Sequence, residues 1–264
     1  MKPDYKNWIP RRLLYATGFA TAVSLFGVAT ALASLAPGAL RTFSLFFFGI
    51  ALVILAGACA VMLRLTRAFD LNDSGSYARR IIDDIAARAK LAEGGKGLDL
   101  GTGTGALAIE VARRHPRSSM VGIDTWPRVF SGGSGSLALC ESNARAENVP
   151  NVTFEKADAS KLPYPDESFD LVVSNYLYSS SSILNKGKMI DEAMRVLKKG
   201  GHFVLHDYFG RKEKFGDMSA YVEKLKKAGF EKVELLDTTD GLFITKKESW
   251  KLNLSGSELL IGRK

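Results

Sequence analysis

Residues 98–105 read Leu-Asp-Leu-Gly-Thr-Gly-Thr-Gly, and this stretch decides the fold of the 264-residue chain. It follows an apolar run and opens into the helix-like segment 106–112, so the glycines lie at a turn from a strand into a helix. Glycine lets the backbone turn tightly there and lets a ligand lie against bare amides at the helix N-terminus. The stretch therefore predicts a site for a nucleotide-like ligand.

Two acidic residues accompany the glycine turn. Asp99 stands two residues before Gly101, and Asp124 ends a second predicted strand, 119–124. A carboxylate at the end of that second strand is placed to accept hydrogen bonds from both hydroxyls of a ribose. The spacing Gly101-x-Gly103-x-Gly105 differs from the G-x-G-x-x-G of dinucleotide sites. A turn that binds nothing is the alternative, because many α/β turns carry two glycines without a ligand.

A third acidic segment completes the pattern: it reads Lys156-Ala157-Asp158-Ala159, and the apolar strand 171–175 follows it. With these motifs, residues 76–264 resemble the class I S-adenosylmethionine-dependent methyltransferases, especially the branch of quinone and sterol C-methyltransferases. The resemblance implies that S-adenosylmethionine is the cofactor. It also implies that the methionine half is held by Asp99, Gly101, Thr102, Gly103 and Gly105, the ribose by Asp124, and the adenine by Asp158 and Ala159.

Strands and helices alternate around these motifs. The predicted strands are 96–100, 119–124, 152–157, 169–175 and 202–207, with two more near 231–238 and 257–263; the predicted helices are 105–115, 136–147, 187–198 and 217–228. Ser76 is a candidate N-cap for a further helix. Alternation of this kind indicates crossover connections with helices on both sheet faces. We expect an α/β fold with a doubly wound, Rossmann-like, mostly parallel sheet, and the resemblance implies an antiparallel terminal strand.

Two long apolar runs lie near the N-terminus. No charged side chain occurs in 13–35 or in 42–63, and each run has the ~20 residues needed to cross a bilayer core. The segment between them contains Pro37-Gly38, which favours a tight turn. We expect a membrane hairpin over 1–67 and a methyltransferase domain over 68–264.

Basic residues around the two runs predict their orientation. Four precede the first run, two follow the second, and one lies between them: Lys2, Lys6, Arg11, Arg12, Arg64, Arg67 and Arg41. Because basic residues resist translocation, we expect the catalytic domain to face the cytoplasm, at a bacterial-type inner membrane. A signal peptide is one alternative, since Arg11-Arg12, the apolar run and Ala31-Leu32-Ala33 imitate its three parts. Core helices of a larger soluble domain are another.

Composition limits the partners. The chain has 36 Lys and Arg against 28 Asp and Glu, a net charge of +8. Part of the excess lies beside the apolar runs, where anionic lipid headgroups are the nearer partner. No basic stripe is interleaved with aromatic residues, so we expect no nucleic-acid partner. The two cysteines and three histidines show no metal-ligand spacing, so we expect no metal site.

Candidate catalytic residues follow predicted strands at their carboxyl ends, where open α/β sheets bind ligands. Asn175 and Tyr176 follow the fourth strand, and His206 lies at the end of the fifth. Asn175 is also a candidate for the cofactor site, and its alternative role is to cap a turn. His206 either takes part in the reaction or orients its neighbours. A sulfonium methyl group is already an activated electrophile, so the protein mainly aligns the acceptor and excludes water.

Two segments depart from the family pattern. In 125–135, Thr125 and Trp126 are predicted at the cofactor, with Trp126 beside the adenine and a glycine-serine lid behind it; an ordinary surface loop is the alternative. In 240–255, apolar residues alternate with lysines: Leu242, Phe243, Ile244 and Trp250. That composition suits either a membrane-interface segment or a cover for the sheet edge.

The sequence thus predicts a membrane-anchored methyltransferase that acts on a lipophilic small molecule. The lipophilic acceptor is inferred from the short linker 65–75, which extends to about 35 to 40 Å at most and keeps the cofactor domain near the bilayer. Two other classes stay open. One is a membrane-tethered binding or scaffold protein with this fold, and the other is a dinucleotide-dependent oxidoreductase.

Overall fold

The computed structural model of the protein describes residues 2–126, 135–182 and 185–264. Two long helices come first, α1 (Arg11–Ser34) and α2 (Ala39–Ala68). They pack against each other as a hairpin, and Gly27 lies so close to Phe48 that an added Cβ would be 2.5 Å from its ring. By length and composition both helices are able to cross a membrane, with mean hydropathies of 1.6 and 2.7.

The sides of this hairpin are exposed and apolar. In the most apolar 18 residues of each helix, 11% of the residues are buried in α1 and 0% in α2. Large exposed side chains along both helices include Phe19, Phe26 and Val53. Since apolar area left in water costs about 25 cal/mol per Å², a surface of this kind indicates contact with lipid or with another apolar partner.

The rest of the chain forms a seven-stranded sheet in the order β3-β2-β1-β4-β5-β7-β6. Its strands are β1 (Lys96–Leu100), β2 (Ser119–Asp124), β3 (Val152–Lys156), β4 (Phe169–Asn175), β5 (Leu197–Asp207), β6 (Glu231–Asp237) and β7 (Glu258–Arg263). The first five strands pair in parallel, and β7 runs antiparallel between β5 and β6. The predicted fold class, including the antiparallel strand, is confirmed.

Helices cover both faces of the sheet. They are α3 (Tyr77–Arg88), α4 (Ala106–Arg114), α5 (Leu137–Ala146), α6 (Leu177–Ser180), α7 (Lys186–Val196), α8 (Lys212–Phe215), α9 (Met218–Lys227) and α10 (Lys246–Lys251). Side chains of α3, α4 and α5 belong to one buried apolar cluster, and those of α7 and α9 belong to a second. The predicted cap of α3 is present, since Ser76 Oγ accepts from the backbone N–H of Arg79 at 3.1 Å.

The largest difference from the predicted bounds lies between α7 and β5. Strand β5 begins at Leu197, not at 202, and the preceding helix ends at Val196, not at 198. Leu197 already pairs with Phe169 of β4, and the ladder then shifts register before it continues at His202. Gly200, with φ +78°, takes up the irregularity. Residues 198–201 read Lys-Lys-Gly-Gly, which is the composition of a turn.

The segment before α1 packs on the sheet domain. We call residues 4–9 the N-terminal strap. Its first residue, Asp4, donates its backbone N–H to Asn143 Oδ1 at 2.7 Å. Further along, the backbone N–H of Trp8 donates to the carbonyl oxygen of Phe69 at 3.2 Å. The strap therefore crosses the junction at which both long helices meet the sheet domain.

Candidate functional site

The glycine turn joins β1 to α4. Gly101, Gly103 and Gly105 have φ values of +70°, +57° and +86°, a region that favours glycine. At Gly101 an added Cβ would also lie 2.8 Å from Leu177 Cδ1. Gly101 is therefore required because of space as well as conformation. The turn exposes backbone atoms without side chains to a ligand.

Asp99 lies beneath this turn and is 1% exposed. Its Oδ2 accepts from Thr102 Oγ1 at 2.7 Å. Burial raises the pKa of Asp99 to about 7, although the hydrogen bond from Thr102 opposes the shift. Within the described ranges no Lys or Arg forms an ion pair with it. A cationic group on a ligand would therefore stabilise the ionised carboxylate strongly.

A cavity of about 600 Å³ opens on the glycine turn. Its first wall consists of Asp99 and residues 101–104, and its second consists of side chains that follow β4 and β5. The third wall is mostly apolar: Tyr5, Trp8, Ile9, Phe69 and Leu71 lie next to the hairpin in the chain, and Leu252, Asn253 and Leu254 follow α10. The volume is that of a small-molecule site.

Asn175, Tyr176 and His206 meet at the adjacent ends of β4 and β5. Asn175 and Tyr176 line the cavity, whereas His206 lies behind them at 0% exposure. His206 Nδ1 is 2.8 Å from Asn175 Oδ1, and Nε2 is 3.1 Å from Thr238 Oγ1. Burial lowers the pKa of His206 to about 3, so the ring is neutral near pH 7. Of its two predicted roles, this geometry favours the orienting one, toward Asn175.

Tyr176 has a left-handed backbone, with φ +52°, at the start of α6. Its backbone N–H donates to the carbonyl oxygen of His206 at 2.8 Å, and its hydroxyl lies 2.8 Å from Ser257 Oγ. Burial raises the pKa of Tyr176 well above its usual range. The phenol therefore stays protonated and acts as a hydrogen-bonding group. Left-handed non-glycine residues persist only where their surroundings enforce them, which occurs often at functional sites.

The predicted ribose acid lies beside the cavity wall. Asp124 Oδ2 accepts from the backbone N–H of Gly103 at 3.0 Å, and Oδ1 accepts from that of Trp126 at 2.9 Å. Trp126 Nε1 donates in turn to the carbonyl oxygen of Gly103 at 2.8 Å. Asp124 thus ties the loop after β2 to the glycine turn. To bind a ribose it would have to exchange these bonds for the ligand's hydroxyls, so that role stays a prediction.

The other predicted cofactor residues lie at the same edge of the sheet. Thr125 is exposed after β2; Asp158 is exposed after β3, and Ala159 next to it is buried. The carboxylate of Asp158 accepts from the backbone N–H of Ser160 at 2.8 Å, and the residue is exposed. Contact with the adenine stays a prediction. The glycine-serine lid predicted within 125–135 falls largely on residues 127–134, outside the described residues.

The segment 240–255 serves mainly as a cover. Phe243 and Ile244 are buried, and the Phe243 ring lies 5.4 Å from that of His206. Trp250, in contrast, is 78% exposed on α10. The buried Phe243 therefore packs on β5, an interior strand of the sheet, and the membrane-interface prediction concerns Trp250 and its neighbouring lysines.

The sequence analysis missed the strap and Phe69 as parts of the site. Tyr5 is 2% exposed, and Trp8 and Phe69 line the cavity. A signal was present, because aromatic residues are enriched where membrane helices leave the bilayer, and Trp8 and Phe69 flank the two outer ends of the hairpin. That pattern indicates a membrane interface but does not say that the same rings face a ligand.

The sheet order and the glycine turn after β1 define a Rossmann-like α/β domain. A family described as "Methyltransferase domain" matches residues 91–253, and the chain belongs to this family. The ubiquinone/menaquinone biosynthesis C-methyltransferase of Geobacter sulfurreducens is 34% identical over 117 residues, which cover 44% of this chain and 43% of that protein. The demethylmenaquinone methyltransferase of Deinococcus radiodurans is 37% identical over 111 residues, 42% of each chain. The matches thus span less than half the length of these relatives.

Two solved structures resemble the sheet domain. A [4+2]-cyclase superposes with a TM-score of 0.53 at 23% identity, covering 71% of this chain and 81% of that one. Phosphoethanolamine N-methyltransferase 2 of Haemonchus contortus, in complex with S-adenosyl-L-methionine, gives 0.50 at 18% identity, covering 72% and 53%. At these identities the likeness shows the fold alone. The family match confirms the predicted methyltransferase class.

Proposed function

We propose that the protein is a membrane-anchored methyltransferase that transfers the methyl group of S-adenosylmethionine to a lipophilic small molecule. The observation that carries this proposal is the shared cavity. The glycine turn forms one of its walls, and apolar side chains at the base of the hairpin form another. A methyl donor on the glycine wall and an acceptor on the apolar wall would meet inside one cavity.

The residues around the turn fit the cofactor. Asp99, as the carboxylate, would pair with the ammonium group of the methionine half. Gly101 and Gly103 leave room for the rest of the methionine half. Asp124, with Thr125 and Trp126 behind it, would hold the ribose, and Asp158 with Ala159 the adenine. When bound, S-adenosylmethionine supplies an activated methyl group. The protein's own task is to align an acceptor with that group and to exclude water.

The opposite walls limit the chemistry of the acceptor. Among the described residues that line the cavity, Asp99 is the one carboxylate. Burial raises the pKa of both Tyr176 and Tyr208, so their hydroxyls stay protonated. The acceptor atom must then be nucleophilic enough to react without a strong base of the protein to remove its proton. An electron-rich ring carbon or oxygen of a quinol meets this requirement, and the quinone-type relatives support that choice.

Membrane anchoring is supported by the exposed apolar hairpin. The 30 residues of α2 extend about 45 Å, longer than a hydrocarbon core of about 30 Å, so its last turns with Arg64 and Arg67 would lie in the headgroup region. Basic residues at both outer ends favour a cytoplasmic catalytic domain. Cleavage of a signal peptide after Ala33 would remove the strap from the cavity wall, which argues against that alternative.

The test uses the full chain in lipid nanodiscs with S-adenosylmethionine tritiated at the methyl group. The acceptor probe is a 1,4-naphthoquinol that carries one prenyl unit and partitions into the bilayer. We expect label in the organic-soluble product. Cofactor binding without any labelled product, across lipids and quinols, would favour the scaffold alternative. Consumption of a reduced nicotinamide cofactor would favour the oxidoreductase.

The topology is tested separately. A reporter that fluoresces only in the cytoplasm, fused after Lys264, is expected to be active, and a cysteine in place of Gly38 should react with an impermeant thiol reagent from outside. An inactive reporter together with a new N-terminus near Ser34 would overturn the anchored topology in favour of a cleaved signal peptide.

A further inference from the structure

We propose that the N-terminal strap is part of the acceptor site and that Trp8 positions a planar acceptor that enters the cavity directly from the bilayer. The proposal rests on the proposed function and names the side from which its substrate arrives. It assigns Trp8 a positioning role, since the indole holds no group that reacts with a methyl donor.

The first observation is where the apolar wall lies. Trp8 and Ile9 line the cavity, and α1 begins at Arg11, two residues further on. Phe69 also lines the cavity and directly follows the end of α2 at Ala68. The wall therefore stands at the point where both helices reach the sheet domain. A molecule dissolved in lipid would meet this wall first and would not need to cross water.

The second observation is the arrangement of the aromatic rings. Trp8 and Phe69 are stacked, with centroids 5.7 Å apart and planes at 26°. Trp8 meets Tyr176 edge-on at 5.7 Å, and Tyr176 meets Tyr208 at 4.8 Å. These rings form a continuous aromatic surface from the membrane junction to the ends of β4 and β5. Such surfaces favour planar ligands, because offset and edge-to-face contacts add to the burial of apolar area.

The third observation is that the strap is tied to the glycine turn. Asn143 is buried; its Nδ2 donates to the carbonyl oxygens of Asp4 at 3.2 Å and of Thr104 at 3.0 Å. One side chain thus holds both the acceptor wall and the cofactor turn. Asn72 Oδ1 accepts from the backbone N–H of Tyr5 at 2.9 Å and fixes the strap from the other side. Trp8 is therefore held at a fixed place relative to the bound donor.

The test compares three variants of the full chain in nanodiscs of phosphatidylcholine and phosphatidylglycerol. Trp8→Leu is expected to raise KM for the prenylated naphthoquinol at least about tenfold, with the Kd of S-adenosylmethionine changed less than about twofold. Trp8→Phe keeps a ring and should restore most of the loss. Tyr221→Leu removes an aromatic side chain of α9 that does not line the cavity and should change neither constant.

Several results would overturn the proposal. An unchanged KM in Trp8→Leu would remove the indole from the acceptor site. A parallel loss of cofactor affinity and thermal stability in Trp8→Leu and Trp8→Phe would show a purely structural role. A separate experiment uses a water-soluble naphthoquinol without the prenyl group as a competitor of the prenylated one. If it competes equally well from the aqueous phase, entry from the bilayer is wrong.

A binding measurement separates this proposal from the proposed function. Quinones quench tryptophan fluorescence on contact, so the bilayer-dissolved naphthoquinone should quench the Trp250→Phe protein more than the double variant Trp250→Phe, Trp8→Phe. That difference is expected even if no methyl group is transferred. Equal quenching in the two proteins would overturn the acceptor site at Trp8, whatever the outcome of the methylation assay.

Discussion

Cofactor affinity should rise with pH through neutrality, because it depends on the ionised form of Asp99. Burial raises the pKa of this carboxyl to about 7. A group with that pKa is ionised to about 9% at pH 6 and to about 91% at pH 8. If only the ionised form pairs with the ammonium group of the ligand, the apparent affinity increases about tenfold over this interval.

Calorimetry on the full chain in nanodiscs measures this dependence, with S-adenosylhomocysteine as a ligand that has the same amino-acid half. The increase should level off above about pH 8, because Asp99 is then almost fully ionised. Asp99→Asn should bind weakly and without the increase. Asp207→Asn is the matched control, since Asp207 is also buried with a raised pKa but does not line the cavity. Equal affinity at pH 6 and pH 8 would refute the role of Asp99.

The same shift affects stability. Between about pH 4 and 7 the folded protein without ligand holds a proton on Asp99 that the unfolded chain has lost. The free energy of unfolding of the protein should therefore fall as the pH rises from about 4 to 7, by about 1.4 kcal/mol per pH unit and about 4 kcal/mol over the whole interval. Asp99→Asn should lack this slope. An identical pH dependence of thermal unfolding in the two proteins would show that Asp99 is not buried as described.

Three further predictions concern neighbouring residues. Asp124→Ala should weaken S-adenosylmethionine binding by about 1.5 to 3 kcal/mol, because charged hydrogen bonds are lost; unchanged affinity by calorimetry would remove Asp124 from the site. Gly101→Ala should reduce cofactor affinity more than about tenfold through strain and its clash with Leu177, whereas Gly94→Ala, at φ +73° with nothing within 4 Å, should not; equal effects would contradict the steric argument. Burial lowers the pKa of His206 to about 3, so below about pH 6.5 this imidazole is protonated in the unfolded chain but not in the folded protein. The free energy of unfolding should therefore fall by about 1.4 kcal/mol for each pH unit as the pH is lowered. His206→Gln should lose less thermal stability between pH 7 and 5 than the wild type, and an equal loss would count against a neutral buried ring.

The parallel part of the sheet could be predicted because its information is local. Strands β1, β2 and β4 have the predicted bounds, since each is an apolar run that ends at a turn glycine, an acid or an asparagine. The positions of Asn175 and His206 follow from the same rule, because neighbouring parallel strands end at one edge of the sheet. Sequence periodicity thus places these residues together without fixing which of them faces the ligand.

The rest of the site depends on contacts between residues far apart in the chain. The strap is fixed by a bond from Asp4 to Asn143, which lies 139 residues further on. The neutral state of His206 depends on its burial, and its neighbours Thr238 and Phe243 belong to no motif. No periodic pattern marks such partners, because they are selected by the completed fold. The start of β5 was missed for a related reason, since its first pairing depends on a bulge.

The strap and the hairpin can be separated experimentally because their ends are adjacent. Asn7 and Asp70 form an isolated bridge on the two sides of the hairpin. About four Gly and Ser residues, spanning about 11 Å, would therefore suffice to join Ile9 to Ala68 in a chain without the two long helices. This shortened chain keeps Tyr5 and Trp8 on the cavity wall, whereas deletion of residues 1–67 removes them together with the anchor.

The comparison of these two chains shows what the anchor does. The chain with the linker should bind S-adenosylmethionine like the full protein and should methylate the water-soluble naphthoquinol. On the prenylated probe in vesicles its rate should fall at least about tenfold, because the local concentration of acceptor is lost. Deletion of residues 1–67 should impair both reactions, since the acceptor wall is missing as well. If both shortened chains behaved alike on the soluble probe, the strap would have no part in the site. If the linked chain matched the full protein on vesicles, the lipophilic acceptor would lose its main support.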